Sequence, residues 1–179
     1  MAELSAIVWR YIYICRLHIV IGDKMGLDMY LDGVYRVYAT GEDEKKQNET
    51  IREALKGIVP NINVKGGNLN YIYITIEVGY WRKANAIHRW FVENVQDGED
   101  DCGTYWVDRE KLKELKALCE KVLKNPEEAP NILPTQSGFF FGNIQYDDWY
   151  FKDIKRTIEI INRALSMDEG WEFYYESSW

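Results

Sequence analysis

Residues 71–91 read YIYITIEVGYWRKANAIHRWF. The first ten are β-branched or aromatic almost throughout, with apolar side chains on both faces, which predicts a strand central to a sheet. Gly79 marks the turn out of that strand, and helical spacing follows it. At about 100° per residue, Ala84, Phe91 and Val95 fall on one line of a helix, flanked by Ile87 on one side and by Trp81, His88 and Val92 on the other. Asn85 sits at the edge of that apolar face, Arg82, Arg89 and Glu93 point away from it, and Trp90 shares a third sector with Lys83 and Ala86.

Working outward, LDMYL (27–31) and VYRVYA (34–39) flank Asp32-Gly33, a pair suited to a tight turn, so they are expected to form a β-hairpin. Residues 42–57 predict a helix that buries only its last turns before Pro60, and residues 61–70 predict an exposed loop. Asp108 can cap a helix whose apolar stripe runs Leu112, Leu115, Leu118, Cys119, Val122 and Leu123, closed off by Pro126 and Pro130. A further helix starts near Asp147 or Asp148 and carries Phe151, Ile154, Ile158, Ile161 and Leu165 at steps of three and four. WEFYYESSW (171–179) reads as a last strand. Strands and helices interleaved without the rhythm of a wound parallel sheet imply an α+β fold, a mainly antiparallel sheet covered by about four helices, in a single domain spanning 25–179. Residues 1–24 read as an N-terminal extension with two β-rich runs, 7–15 and 17–21. Arg10, Arg16 and His18 interrupt its apolar stretch, well short of the roughly 18–20 residues needed to span a bilayer.

The 179-residue chain carries 22 basic and 29 acidic side chains, a net charge of −7, which disfavours a surface built to follow nucleic-acid phosphates and suits a basic protein partner. Three cysteines at wide spacings, with no Cys/His cluster, suggest neither a disulfide framework nor a zinc site, so no metal and no cofactor are expected.

The residues able to carry chemistry fall into two groups. Asn85 and His88 on the apolar helix face, with Thr135 and Gln136 of NILPTQSGFFFGN (131–143), are the candidates for a ligand pocket, and the bland alternative for His88 is a satisfied core histidine. The FFF run between Gly138 and Gly142 is expected to be a short buried strand. Arg82, Lys83, Arg89 and Trp90, together with Glu99, Asp100 and Asp101 of the acidic stretch QDGEDDCGTYW (96–106), are the candidate partner contacts. The spacing of those acids does not match a calcium loop.

The segments MGLDMYL (25–31), EVGYWRKANAIHRWFVENVQDG (77–98), LPTQSGFFFG (133–142), YDDWYFKDI (146–154) and YYESSW (174–179) resemble a family of small proteins encoded by bacteriophages, prophages and other mobile elements. The family brings no assigned catalytic residues. What the resemblance implies is a counter-defence setting, and the leading expectation is an anti-CRISPR-like inhibitor. Such a protein acts in the cytoplasm of the bacterial host by binding an immune effector such as a CRISPR nuclease, rather than as an enzyme. The alternative expectation is an enzyme or binding protein for a nucleotide or another small phosphorylated ligand, with a pocket around Asn85 and His88.

Overall fold

A computed structural model describes residues 26–38, 41–58 and 71–179. The elements are β1 (Asp28–Tyr38), α1 (Glu42–Ile58), β2 (Tyr71–Arg82), α2 (Asn85–Asn94), β3 (Thr104–Val107), α3 (Arg109–Lys124), a short 3-10 turn (Pro126–Glu128), α4 (Ala129–Ile132), α5 (Asp148–Leu165) and β4 (Trp171–Ser178). The four strands form one sheet in the order β2-β1-β4-β3, and every neighbouring pair is antiparallel. This is the α+β architecture that the interleaved patterns imply.

One face of the sheet is apolar. Met29 and Leu31 of β1, Val107 of β3 and Phe173 and Tyr175 of β4 alternate onto it, each at most 1% exposed. Helices α2, α3 and α5 cover that face, and their stripes of Ile87, Phe91, Leu112, Leu115, Cys119, Ile154 and Ile161 close the core. Full burial of one such aliphatic or aromatic side chain contributes about 1.5–3 kcal/mol, so this layer is the principal source of stability. Both long helices begin where their caps allow. Asp108 accepts a hydrogen bond from the Glu110 amide, and Asp147 accepts from the amides of Trp149 and Tyr150. The opposite sheet face holds the other alternate residues, among them Asp32, Glu172, Tyr174, Glu176 and Trp106.

Several expectations give way to the three-dimensional context. The runs LDMYL and VYRVYA are not a hairpin: Asp28–Tyr38 is one continuous strand through Asp32-Gly33, irregular in register only at Leu31/Asp32. Gly33 is used for close approach instead of for turning: a Cβ there would lie 3.1 Å from Val78 Cγ2 and 3.3 Å from both Met167 Cε and Trp171 Cε3. Gly79 likewise stays within β2, opposite Leu31, because α5 crosses it so closely that a Cβ would sit 2.3 Å from Ile160 Cγ2. β2 is an edge strand among the described residues, not a central one. Helix α5 reaches only its second half, where Arg156 and Arg163 donate to the carbonyls of Tyr80 and Val78, and Tyr73, Ile74 and Ile76 of its first half stay 37–41% exposed. The FFF run is a turn, not a strand, with Phe141 buried and Phe139 94% exposed. The acidic stretch 96–106 ends in β3, whose Tyr105 pairs with Tyr175. The β-rich runs of residues 7–21, Pro60 and the loop 61–70 lie outside the described residues. No described helix is long and apolar enough to cross a membrane.

Candidate functional site

β2 runs on to Arg82, so Trp81, Arg82 and Lys83 belong to a strand and its exit, not to the helix. Strand alternation sends Trp81 inward, where its indole Nε1 donates to Thr157 Oγ1 at 2.9 Å. Lys83 then takes a left-handed conformation, φ 59°, that breaks the strand and starts α2 two residues later. Such a conformation costs a non-glycine residue on the order of 1 kcal/mol, and the contacts around it hold it there. The Lys83 amide donates to the Leu27 carbonyl at 2.7 Å, and the side chain packs on Gly142, itself at φ 86°.

Asn85, 3% exposed, ties the segment 135–143 to this corner. Its Nδ2 donates to the carbonyls of Phe141 (3.0 Å) and Asn143 (2.8 Å), while its Oδ1 accepts from the Gln136 amide at 3.1 Å. The amide side chain therefore spends every one of these groups on backbone. Thr135 holds the same loop by donating from Oγ1 to the Ile144 carbonyl, and its amide donates to the Tyr146 hydroxyl.

Between this loop, the start of α2, the end of β2 and the first turns of α5 lies a cleft of about 500 Å³. Ala84, Ala86, Ile87 and Ile154 give it apolar lining, with Asn85 and Thr135 in the wall beside the loop. Its charged walls come from Arg82 and Lys83 on one side and from Lys152, Asp153 and Arg156 of α5 on the other. Arg82 shares Asp28 with the Tyr80 hydroxyl, which donates to the same carboxylate oxygen. Burial and that carboxylate push the Tyr80 phenol up. Lys152 lies 4.9 Å from the centre of the Trp149 ring, and Trp149, also in the cleft wall, is 69% exposed.

Asp153 differs from the other acids of the cleft. Asp147 is spent on capping α5 and on accepting from Asn143 Nδ2 at 2.8 Å. The Asp153 carboxyl makes no hydrogen bond or ion pair among the described residues, and burial pushes its pKa up to about 6 against the opposing pull of Arg156 and Lys152. Neither Asp153 oxygen is sealed off without a partner, so the carboxyl keeps contact with the solvent of the cleft.

His88 is not in this cleft. It is fully buried, one turn along α2, with Nδ1 2.8 Å from the Tyr175 hydroxyl and Nε2 2.9 Å from Asp100 Oδ2. Trp179 Nε1 donates to the other Asp100 oxygen at 3.0 Å. The Phe141 ring meets the imidazole edge-on at 5.1 Å, and Phe91 stacks on Tyr175 at 3.9 Å. Burial, and then the Asp100 carboxylate, hold the Tyr175 phenol well above its ordinary pKa, while Ser177 beside it pulls the other way. With both ring nitrogens engaged and no solvent access, His88 takes the core role, and the placement of a ligand on it is corrected.

The remaining candidates disperse. Gln136 contributes its backbone amide to Asn85 and does not line the cleft. Trp90 is 6% exposed and packs edge-on against Phe91, so it is a core residue and not an interface anchor. Arg89 pairs with Glu93 at 2.7 Å along the helix. Asp100 is committed to His88 and Trp179, while Asp101 accepts from the Tyr105 hydroxyl and the Gly103 amide, bonds that hold its carboxyl below the usual range. Glu99 is exposed. Of the residues proposed from sequence, Arg82, Lys83, Asn85 and Thr135 meet at the cleft.

Sequence reading missed the α5 wall. Its signal was present: Trp149, Lys152, Asp153 and Arg156 share one helical sector beside the buried stripe of Tyr150, Ile154, Thr157 and Ile161. Among the described residues no three metal-ligating side chains converge. Burial pushes the Cys119 thiol up to about 12 and also raises Cys102, so neither is a ready nucleophile. No known protein family, curated protein or solved structure matches the chain.

Proposed function

We propose that this protein binds a small phosphorylated ligand of nucleotide size in the cleft between α2 and α5. The observation that carries this reading is the concentration of Arg82, Lys83, Lys152 and Arg156 around one 500 Å³ cavity in a chain whose net charge is −7. Four cations against two acids, Asp147 and Asp153, leave the lining of this concave, partly apolar space net positive, which suits phosphate oxygens, and the first turn of α2 adds its own partial positive charge. His88 takes no part, and binding rather than turnover is the activity that this geometry supports. In a phage or mobile-element setting in the bacterial cytoplasm, such a protein would counter host defence by sequestering a phosphorylated signal.

Thermal denaturation with and without nucleoside monophosphates and inorganic pyrophosphate tests the reading. A ligand at a hundredfold excess over its Kd stabilises by about 2.7 kcal/mol, which corresponds to a rise of roughly 5–10 °C in Tm. Replacing Lys152 and Arg156 together by alanine abolishes the rise. No shift with any of these compounds at millimolar concentration would sink the proposal.

A second reading, inhibition of a host effector such as a CRISPR nuclease by direct contact, draws on a different surface. At the β3 edge Trp179 (48% exposed) meets Cys102 together with Asp101 and Glu176, an acidic and aromatic patch suited to a basic protein. Replacing Trp179 and Asp101 would then abolish co-purification with the effector, whereas the Lys152/Arg156 double substitution would leave it intact.

A further inference from the structure

The cleft also carries a base-reading element. We propose that the ligand is a guanine nucleotide whose base stacks on Trp149 and is read by Asp153, with the phosphates held by the basic groups of the cleft. The proposal rests on the phosphorylated-ligand reading and goes beyond it by naming the base.

Three observations converge on it. Trp149 is a large ring in the cleft wall, 69% exposed, with the Lys152 ammonium 4.9 Å from its centre and ring surface left open to a stacking partner. Base stacking on such a ring contributes about 1–3 kcal/mol and applies to any base. Asp153, four residues on along α5 and so on the same side of the helix, supplies what stacking lacks, namely discrimination. Its carboxyl lines the cleft without a partner among the described residues. An ionised carboxylate only accepts hydrogen bonds, and it satisfies both oxygens best against two adjacent N–H donors. Among the common bases only guanine presents that pair on its pairing edge, from N1–H and the exocyclic amine. Adenine offers one donor beside one acceptor, cytosine one donor beside two acceptors, and uracil a single donor between two acceptors. Lys83, Lys152 and Arg156 remain for the phosphates, while Arg82 is paired with Asp28 at the edge of the same cleft.

The test is calorimetric titration of the full chain at pH 7.5 with GMP, AMP, CMP and UMP, with inorganic pyrophosphate as the base-free probe. GMP binds at least tenfold more tightly than the other three. IMP, which lacks the exocyclic amine, falls between GMP and AMP. Asp153→Asn replaces one acceptor by a donor, so its preference moves from GMP to XMP, whose C2 carries an oxygen in place of the amine. That gain of XMP binding is a readout that a merely misfolded variant cannot give. Equal affinity for all four nucleotides, or an Asp153→Asn protein that still favours GMP, overturns the base assignment and leaves the phosphate reading standing. Absence of binding by every nucleotide and by pyrophosphate removes both.

Discussion

Helix α2 carries two buried polar side chains three residues apart, Asn85 and His88, and their surroundings differ in one respect that decides their roles. Around His88 the imidazole itself is answered within the protein: Tyr175 on one nitrogen, Asp100 on the other, and Trp179 on the second oxygen of Asp100. At the Asn85 end the amide is answered too, but it forms the wall of an open cleft in which Asp153 is not. A saturated polar network fixes one packing of the core and leaves no group free for a ligand. For the Asp153 carboxyl, which has no partner among the described residues, burial outweighs the pull of Arg156 and Lys152, so its ionised form costs stability that a hydrogen-bond donor in the cleft would offset. Burial and polarity together do not mark a site; the open cleft beside the Asn85 end is what separates it from the His88 end.

The comparison breaks most visibly at His88. His88→Ala leaves the buried Tyr175 hydroxyl without its partner, leaves Asp100 with Trp179 alone and opens a cavity, with an expected loss of about 3 kcal/mol measured by urea denaturation. Nucleotide affinity of the folded fraction stays unchanged. A variant that keeps its stability but loses ligand binding would reverse the roles assigned to the two ends. Tyr175→Phe keeps the ring stacked on Phe91 and removes only the hydroxyl, so its cost is smaller, about 1–2 kcal/mol.

Asn85→Ala comes next and should affect both properties. Two backbone carbonyls and one amide lose their partner, which costs about 2 kcal/mol and frees the loop that walls the cleft. Faster hydrogen exchange at the Gln136 amide, together with weaker ligand binding, is the expected signature. Unchanged exchange would show that the loop is held by Thr135 and Gly142 alone.

How much of this was legible beforehand follows from the kind of signal each part sends. The stripes of α3 and α5 and the strand pattern of 171–178 are local periodicities, and they gave the helices, the last strand and the α+β class directly. Gly33 and Gly79 misled because glycine permits a turn and a close helix–sheet contact equally, and only Ile160 and Trp171 on distant segments decide which. Wheel geometry placed His88 inward, yet its partners Asp100 and Tyr175 come from a loop and from β4, beyond any spacing rule. Asn85, Arg82 and Lys83 were marked from sequence, but the opposite wall at 149–156 was read solely as a core helix, since its apolar stripe is the stronger pattern.

The smallest effect is the most discriminating, because its sign is opposite to that of an ordinary substitution. The folded-state pKa of Asp153, about 6, lies above the ordinary aspartate value near 4, so the native chain holds a proton that the unfolded chain releases between these values. The associated stability is fully present below about pH 4 and is lost as pH rises through about 6. For a partly exposed carboxyl, solvent screening reduces the effect to about 1–2 kcal/mol. Asp153→Asn keeps the shape and removes the charge, so at pH 7.5 it is more stable than the parent by about 1 kcal/mol, and the gap closes at pH 4. Subtracting the two stability profiles cancels the other acids, including Asp101, whose lowered pKa works in the opposite direction. A destabilised Asp153→Asn protein at pH 7.5 would mean that the carboxylate is answered within the fold after all, and the contrast with His88 would vanish. A stabilised one that has exchanged GMP for XMP binding would show a carboxylate held against its own stability for the sake of a ligand.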